Sequence, residues 1–90
     1  MEKLKLKEGV VFRKEEDGAL VYDHETSMVK PFNDTAAAMC ELLFIEFKSK
    51  EEVLEEIKKR WRVRDEALVR KDIDAFIVGM KKLNLLAPRE

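Results

Sequence analysis

Few side chains in this sequence of 90 residues carry groups able to make or break bonds. There is one histidine, His24, and one cysteine, Cys40. A structural or catalytic metal needs several convergent His, Cys, Asp or Glu ligands, and these two stand far apart in the chain. His24 falls in the polar stretch His24-Glu25-Thr26-Ser27 with no evident nucleophile to activate. Cys40 lies inside an apolar helical stripe and reads as a small core residue. The three glycines, at 9, 18 and 79, build no phosphate-cradling loop. Carboxylates abound, but on solvated helix faces nothing desolvates them to raise a pKa. These residues point to no enzyme, no metal and no cofactor.

Binding groups are better represented. Lys58-Lys59-Arg60-Trp61-Arg62-Val63-Arg64 concentrates positive charge that would suit phosphates or an acidic peptide. Its structural reading is a helix C-terminus, where cations complement the dipole and Trp61 faces the core, and that reading is the stronger. Eighteen basic residues against nineteen acidic ones leave a formal charge of −1, which argues against nucleic-acid binding by bulk charge.

The elements that position these groups change period midway. Up to Phe32 apolar residues recur at every second position, and after it at every third or fourth, so strands come first and helices follow. Val10-Val11-Phe12-Arg13-Lys14 is a first strand after Gly9. Asp17-Gly18 predicts a type I′ hairpin turn. Ala19 to Asp23 form the second strand, with Leu20 and Tyr22 on one face and Ala19 and Val21 on the other. His24 to Ser27 turn the chain, and Ser27 to Phe32 make the third strand. The meander leaves that third strand at an edge, where Pro31, lacking an N–H, is tolerated.

Asn33 or Asp34 caps the first helix. Its stripe is Ala36, Met39, Cys40, Leu43, Phe44 and Phe47. Ser49-Lys50-Glu51-Glu52 has capping-box spacing and opens a second helix facing inward through Val53, Leu54, Ile57 and Trp61. Asp65 caps a third, whose stripe is Val69, Ile73, Phe76, Ile77, Met80 and Leu83. Leu85-Leu86-Ala87 is a short apolar tail stopped by Pro88. Residues 1–8 are a flexible arm or a short edge segment, and the arm is the expectation because termini fray.

Hydrophobic residues are 46% and charged residues 41% of the chain, which suits one small, heavily solvated domain. A single cysteine excludes an internal disulfide and fits a reducing compartment. No apolar run approaches the roughly 18 residues of a membrane span, and the first residues hold no signal core, so the expected address is cytoplasmic.

One binding feature remains. An unpaired strand edge is a hazard unless short, charged, covered or used by a partner. A helix beside the third strand would make a groove able to accept an extended peptide as an added strand.

The chain resembles the PqqD-like family, the small recognition domains of pathways that modify ribosomally made precursor peptides. The resemblance spans residues 9–87. It rests on the hairpin at Asp17-Gly18, on Phe32-Asn33-Asp34-Thr35-Ala36-Ala37 and on the series Met39, Leu42, Leu43. The start Ser49-Lys50-Glu51-Glu52-Val53 and the closing pattern Val69, Asp72-Ile73, Phe76, Ile77, Leu83, Leu85-Leu86 complete it, and Asn33-x-Thr35-Ala36 is its most specific piece. Glu46-Phe47-Lys48 departs from the family's acidic-Gly turn, and Pro31 stands where the family more often has a donor.

The resemblance implies an α+β, winged-helix-like fold, a three-stranded antiparallel meander followed by three α-helices. It implies a non-catalytic module that captures the leader segment of a precursor peptide and presents it to a modifying enzyme, often a radical S-adenosylmethionine (radical SAM) protein. The leader would add to the third strand at Ser27, Met28, Val29, Lys30 and Phe32, with the third helix as the other wall. For that wall, Arg70, Asp74, Ile77 and Lys81 share one flank and are preferred, although Ile77 suits the core equally. Ala75 and Gly79 mark the opposite flank. The alternatives are a winged-helix nucleic-acid-binding regulator using Arg60, Arg62, Arg64 and Arg70, which Asp65, Glu66, Asp72 and Asp74 disfavour, and a homodimer through the strand edge.

Overall fold

The computed structural model of the chain describes residues 4–62 and 64–87. Strands β1 (Val10–Glu15), β2 (Gly18–Asp23) and β3 (Met28–Phe32) form one antiparallel sheet in the order β1-β2-β3. Helices α1 (Asp34–Cys40), α2 (Lys50–Arg60) and α3 (Glu66–Lys82) follow, and a π-helical turn, Glu41–Ile45, continues α1. The architecture is the expected α+β arrangement of a meander and then three helices. None of the described helices is long and apolar enough to cross a membrane.

The sheet buries one face. Ala19, Val21 and Asp23 of β2 point into the helical layer, while Leu20 and Tyr22 face outward and stay half-buried. The hairpin differs from the type I′ turn that Asp-Gly suggests. Glu15 pairs with Gly18, so Glu16 and Asp17 form the loop, and neither has a positive φ. Gly18 alone does, at +139°, and a Cβ there would lie 2.0 Å from the Phe32 carbonyl oxygen. The glycine serves a close approach between strand ends as well as a turn. Ser27, expected at the start of β3, instead closes the preceding turn with φ +61°, and the strand begins at Met28.

Asn33 is the α1 cap, its Oδ1 accepting from the Ala36 N–H at 2.8 Å. Ala37 and Ala38 bring that helix close onto β2. Beyond Cys40 the 3.6-residue period fails. Glu46 donates to the Glu41 carbonyl at 2.9 Å, a π-type bond, so Leu42 turns inward beside Leu43 and Phe44. Phe47, expected in the stripe, is 43% exposed with φ +58°. Here a phenylalanine takes the left-handed conformation that glycine adopts more readily.

The α2 capping box forms as the spacing predicts. Glu52 N–H donates to Ser49 Oγ at 3.1 Å and Ser49 N–H to Glu52 Oε1 at 2.9 Å. Val53, Leu54 and Ile57 are buried, and Trp61 is half-buried where the chain leaves the helix. Asp65 caps α3 through the Leu68 N–H at 3.3 Å. Ile73, Ile77 and Met80 are buried, whereas Leu83 caps the helix and is exposed.

The described part of the N-terminal segment is paired rather than a free arm. Leu6 bridges antiparallel to Leu86, Lys7 N–H donates to the Leu85 carbonyl at 2.9 Å and Ala87 N–H to the Lys5 carbonyl at 2.8 Å. Leu85 and Leu86 are thus core rather than tail. The first three residues and the stop at Pro88 lie outside the described residues. Lys7 also reaches Asp23, whose side chain is 1% exposed, at 3.4 Å. Burial alone raises that carboxyl's pKa, but the Glu25 N–H and Lys7 outweigh it and hold Asp23 below its ordinary 3.8.

Two measurements check this core. Truncating Ile73, 1% exposed, to alanine is expected to cost about 2–5 kcal/mol in chemical denaturation; parent-like stability contradicts its placement. A carboxyl depressed on folding stabilises above its unfolded pKa, and the contribution disappears as pH falls through the folded value. The deficit of Asp23→Asn against the parent should therefore be full at neutral pH and narrow below 3.8. A deficit of the same size at every pH contradicts the assigned ion pair.

Candidate functional site

Antiparallel strands alternate between residues that bond to one neighbour and residues that face the other side. The His24 N–H donates to the Gly9 carbonyl at 3.0 Å, which assigns Gly18, Leu20, Tyr22 and His24 to the β1 side. Ala19, Val21 and Asp23 therefore bond to β3, through their partners Phe32, Lys30 and Met28. Val29 and Pro31 are left facing away from the sheet. Pro31 supports the assignment independently, because it has no N–H to give β2. The β3 edge thus offers the Val29 N–H, the Val29 carbonyl and the Pro31 carbonyl.

Side chains alternate in the other sense. Met28, Lys30 and Phe32 share the face of Ala19, Val21 and Asp23, the helical side. Val29, 52% exposed, and Pro31 lie on the opposite face. The helical side is walled by Phe76 of α3. Its ring meets Phe32 edge-on at 5.5 Å and stacks on Phe44 at 6.1 Å. This aromatic trio sets α3 alongside the β3 edge.

The helix flank next to that edge is not the one the charge pattern favours. Arg70 is ion-paired to Glu51 and Asp74 to Lys50, the latter at 2.7 Å, so both reach α2. Ile77 is buried, and Lys81 is exposed on the same α2-facing flank. The structure therefore brings Phe32 together with Phe76 and puts Met28 and Lys30 on the same face of β3 as Phe32. It places Arg70, Asp74 and Lys81 across the helix, and Ser27 in the turn. The flank carrying Phe76 also carries Asp72, Gly79 and Leu83 by helical spacing. Gly79 belongs with Ala75 to the flank that the sequence reading did not prefer, and a Cβ built on it would meet nothing within 4 Å.

At the Phe32 end of the edge an open cleft of about 580 Å³ lies between α2 and α3. Thr35, Ile57, Trp61, Leu68 and Val69 line it together with Arg62, Arg64 and Asp65. Earlier in the basic run, Lys58 pairs with Glu66 and Glu55, and Lys59 and Arg60 pair with Glu56. The Glu66 hydrogen bond raises the Lys58 pKa, and Lys58 in turn lowers that of Glu66. Much of the run is therefore helix-terminal structure, as its position suggests.

The bond-making candidates are placed as the sequence implies. Burial pushes the Cys40 thiol up to about 12, far from thiolate chemistry at neutral pH. His24 is exposed, edge-on to the Tyr22 ring at 4.6 Å. Among the described residues no three His, Cys, Asp or Glu side chains converge on a point able to hold a metal ion.

No protein-family model matches this sequence, and no curated protein matches it. Two solved structures share the fold. One is TbiB1 in complex with the TbiA(beta) leader peptide, with TM-score 0.82 and 22% identity over 96% of this chain and 98% of that one. The other is lasso peptide synthetase B1 complexed with the leader peptide, with TM-score 0.85 and 20% identity over 97% of this chain and all (100%) of that one.

The alternation can be read by amide hydrogen exchange of the free protein. The Val29 amide should exchange quickly, and the Lys30 amide, bonded into the ladder with Val21, slowly. The reverse order would mean that β3 presents its other set of groups.

Proposed function

We propose that this chain is a non-catalytic peptide-binding module that captures the leader segment of a ribosomally synthesised precursor peptide and presents it to a modifying enzyme. The observation carrying the reading is the β3 edge, unpaired among the described residues, beside the Phe76 wall, in a fold shared with two proteins solved with leader peptides. The leader adds to β3 as an extended strand. The peptide residue opposite Val29 exchanges two hydrogen bonds with it, and another peptide N–H reaches the Pro31 carbonyl.

That ladder is short, because Pro31 returns no donor. Each bond contributes only about 0.5–1.5 kcal/mol net, and ordering a flexible peptide offsets part of the sum. Affinity then rests on peptide side chains that alternate onto the helical side, among Met28, Phe32 and Phe76, with Lys30 as the charged group at the rim. Specificity follows from the same contacts.

The enzyme served is a radical SAM protein on the strength of the family resemblance alone. The lasso synthetase likeness bears on leader capture rather than on the chemistry that follows. No step of that chemistry falls to this chain.

The test is a titration with synthetic leader peptides of ribosomal precursors, followed by backbone amide shifts. Residues 28–32 and those around Phe76 are expected to move, and duplex DNA is expected to leave them still. Val29→Pro removes the outward N–H without taking a bond from β2. It should weaken peptide binding about tenfold or more, equivalent to at least one lost bond, while the urea midpoint changes little. Undiminished affinity of a folded Val29→Pro variant would contradict strand addition at this edge.

A further inference from the structure

The cleft between α2 and α3 has a use that the strand edge does not supply. It begins where β3 ends: Phe32 is the last strand residue, and Thr35, in the first turn of α1, lines the cleft. A peptide lying along β3 and continuing past Phe32 would head toward Thr35 and so toward this cleft.

Its surface is amphipathic in a particular way. Ile57 is buried at the back, Trp61 and Val69 are half-buried, and Leu68 is 56% exposed despite its size. Over this apolar floor stand Arg62 and Arg64. Both are exposed, and neither has an ion-pair partner among the described residues, whereas Lys58, Lys59 and Arg60 of the same run are all paired. Asp65 also lines the cleft, but its Oδ1 is engaged in capping the Leu68 N–H. Two free guanidinium groups against one committed carboxylate leave the mouth positive. Guanidinium groups meet carboxylates through parallel N–H bonds, which confers direction as well as attraction.

We infer that this cleft is a second recognition site for the same peptide, seating a bulky apolar side chain on Trp61, Leu68 and Val69 and a neighbouring carboxylate on Arg62 and Arg64. The inference rests on the strand-addition reading and extends it. The ladder at Val29 and Pro31 is common to any extended peptide, and the cleft selects those with an apolar–acidic pair just beyond the strand. The spacing between ladder and cleft then measures where in the leader that pair must stand.

The test uses the full chain and a synthetic leader peptide that carries a bulky apolar residue followed by a glutamate just beyond its strand-forming stretch. A double reversal, Arg62→Glu with Arg64→Glu, removes no ion pair among the described residues, and thermal unfolding checks that it folds as the parent does. Trp61, the only tryptophan in the sequence, reports on the cleft by fluorescence, and the amides of residues 28–32 report on the edge. The double variant should bind about tenfold or more weakly, with a shallower salt dependence, and at saturation should still shift residues 28–32. A leader with its acidic residues changed to glutamine should lose affinity for the parent but not for the double variant, since the two changes remove one interaction. Parent-like affinity in the double variant, with residues 28–32 still shifting, overturns the cleft and leaves strand addition standing. Silence of residues 28–32 in the parent chain overturns strand addition, and this extension with it.

Discussion

The Phe32–Asn33 junction is the constraint on which the other elements depend. On one side the Phe32 carbonyl lies so near Gly18 that no side chain fits there, which fixes how β2 and β3 end together. On the other side Asn33 caps α1 and sets its departure from the sheet. The Phe32 ring reaches Phe76, and through it Phe44, so the position of α3 is referred back to the last residue of β3. An exposed strand edge and an aromatic wall are thereby held side by side by one short stretch of chain.

Surface charge divides the labour between the two flanks of α3. Arg70 and Asp74 are satisfied by Glu51 and Lys50, an exchange of opposite signs across the α2–α3 seam. Exposed pairs of this kind contribute little to stability. Their effect here is one of placement, since they commit that flank to α2 and leave the Phe76 flank to β3. Pro31 acts in the same spirit. Set among the outward residues, it costs the sheet no hydrogen bond and limits what an uninvited strand can pair with.

The order of elements was legible in the sequence because period and capping agree. Alternation to Phe32, the capping box at Ser49 and the cap at Asp65 each have one local physical cause, and each forms. The departures arise where tertiary packing overrides local pattern. The stripe through Phe47 assumes an unbroken 3.6-residue period, and the π turn at Glu41–Ile45 breaks it to bury Leu42. The left-handed Phe47 that follows costs about 1–2 kcal/mol, a strain that no propensity announces. Pairing of Leu6 with Leu86 joins opposite ends of the chain, which no local window can anticipate. The edge position of β3, with Pro31 on it, was legible in the sequence. Which flank of α3 lies beside that edge was not, because charges at helical spacing suit a groove and an interhelical seam equally. Only the position of α2 separates the two.

The central claim, that a peptide joins the sheet at β3, is tested most directly by scalar couplings across hydrogen bonds in the labelled complex. The account predicts a coupling between the Val29 amide nitrogen and a peptide carbonyl carbon, and another between a peptide amide and the Pro31 carbonyl, with the Lys30 amide still coupled to Val21. A bound peptide that shows no coupling to Val29 or Pro31 would contradict it, whatever its affinity.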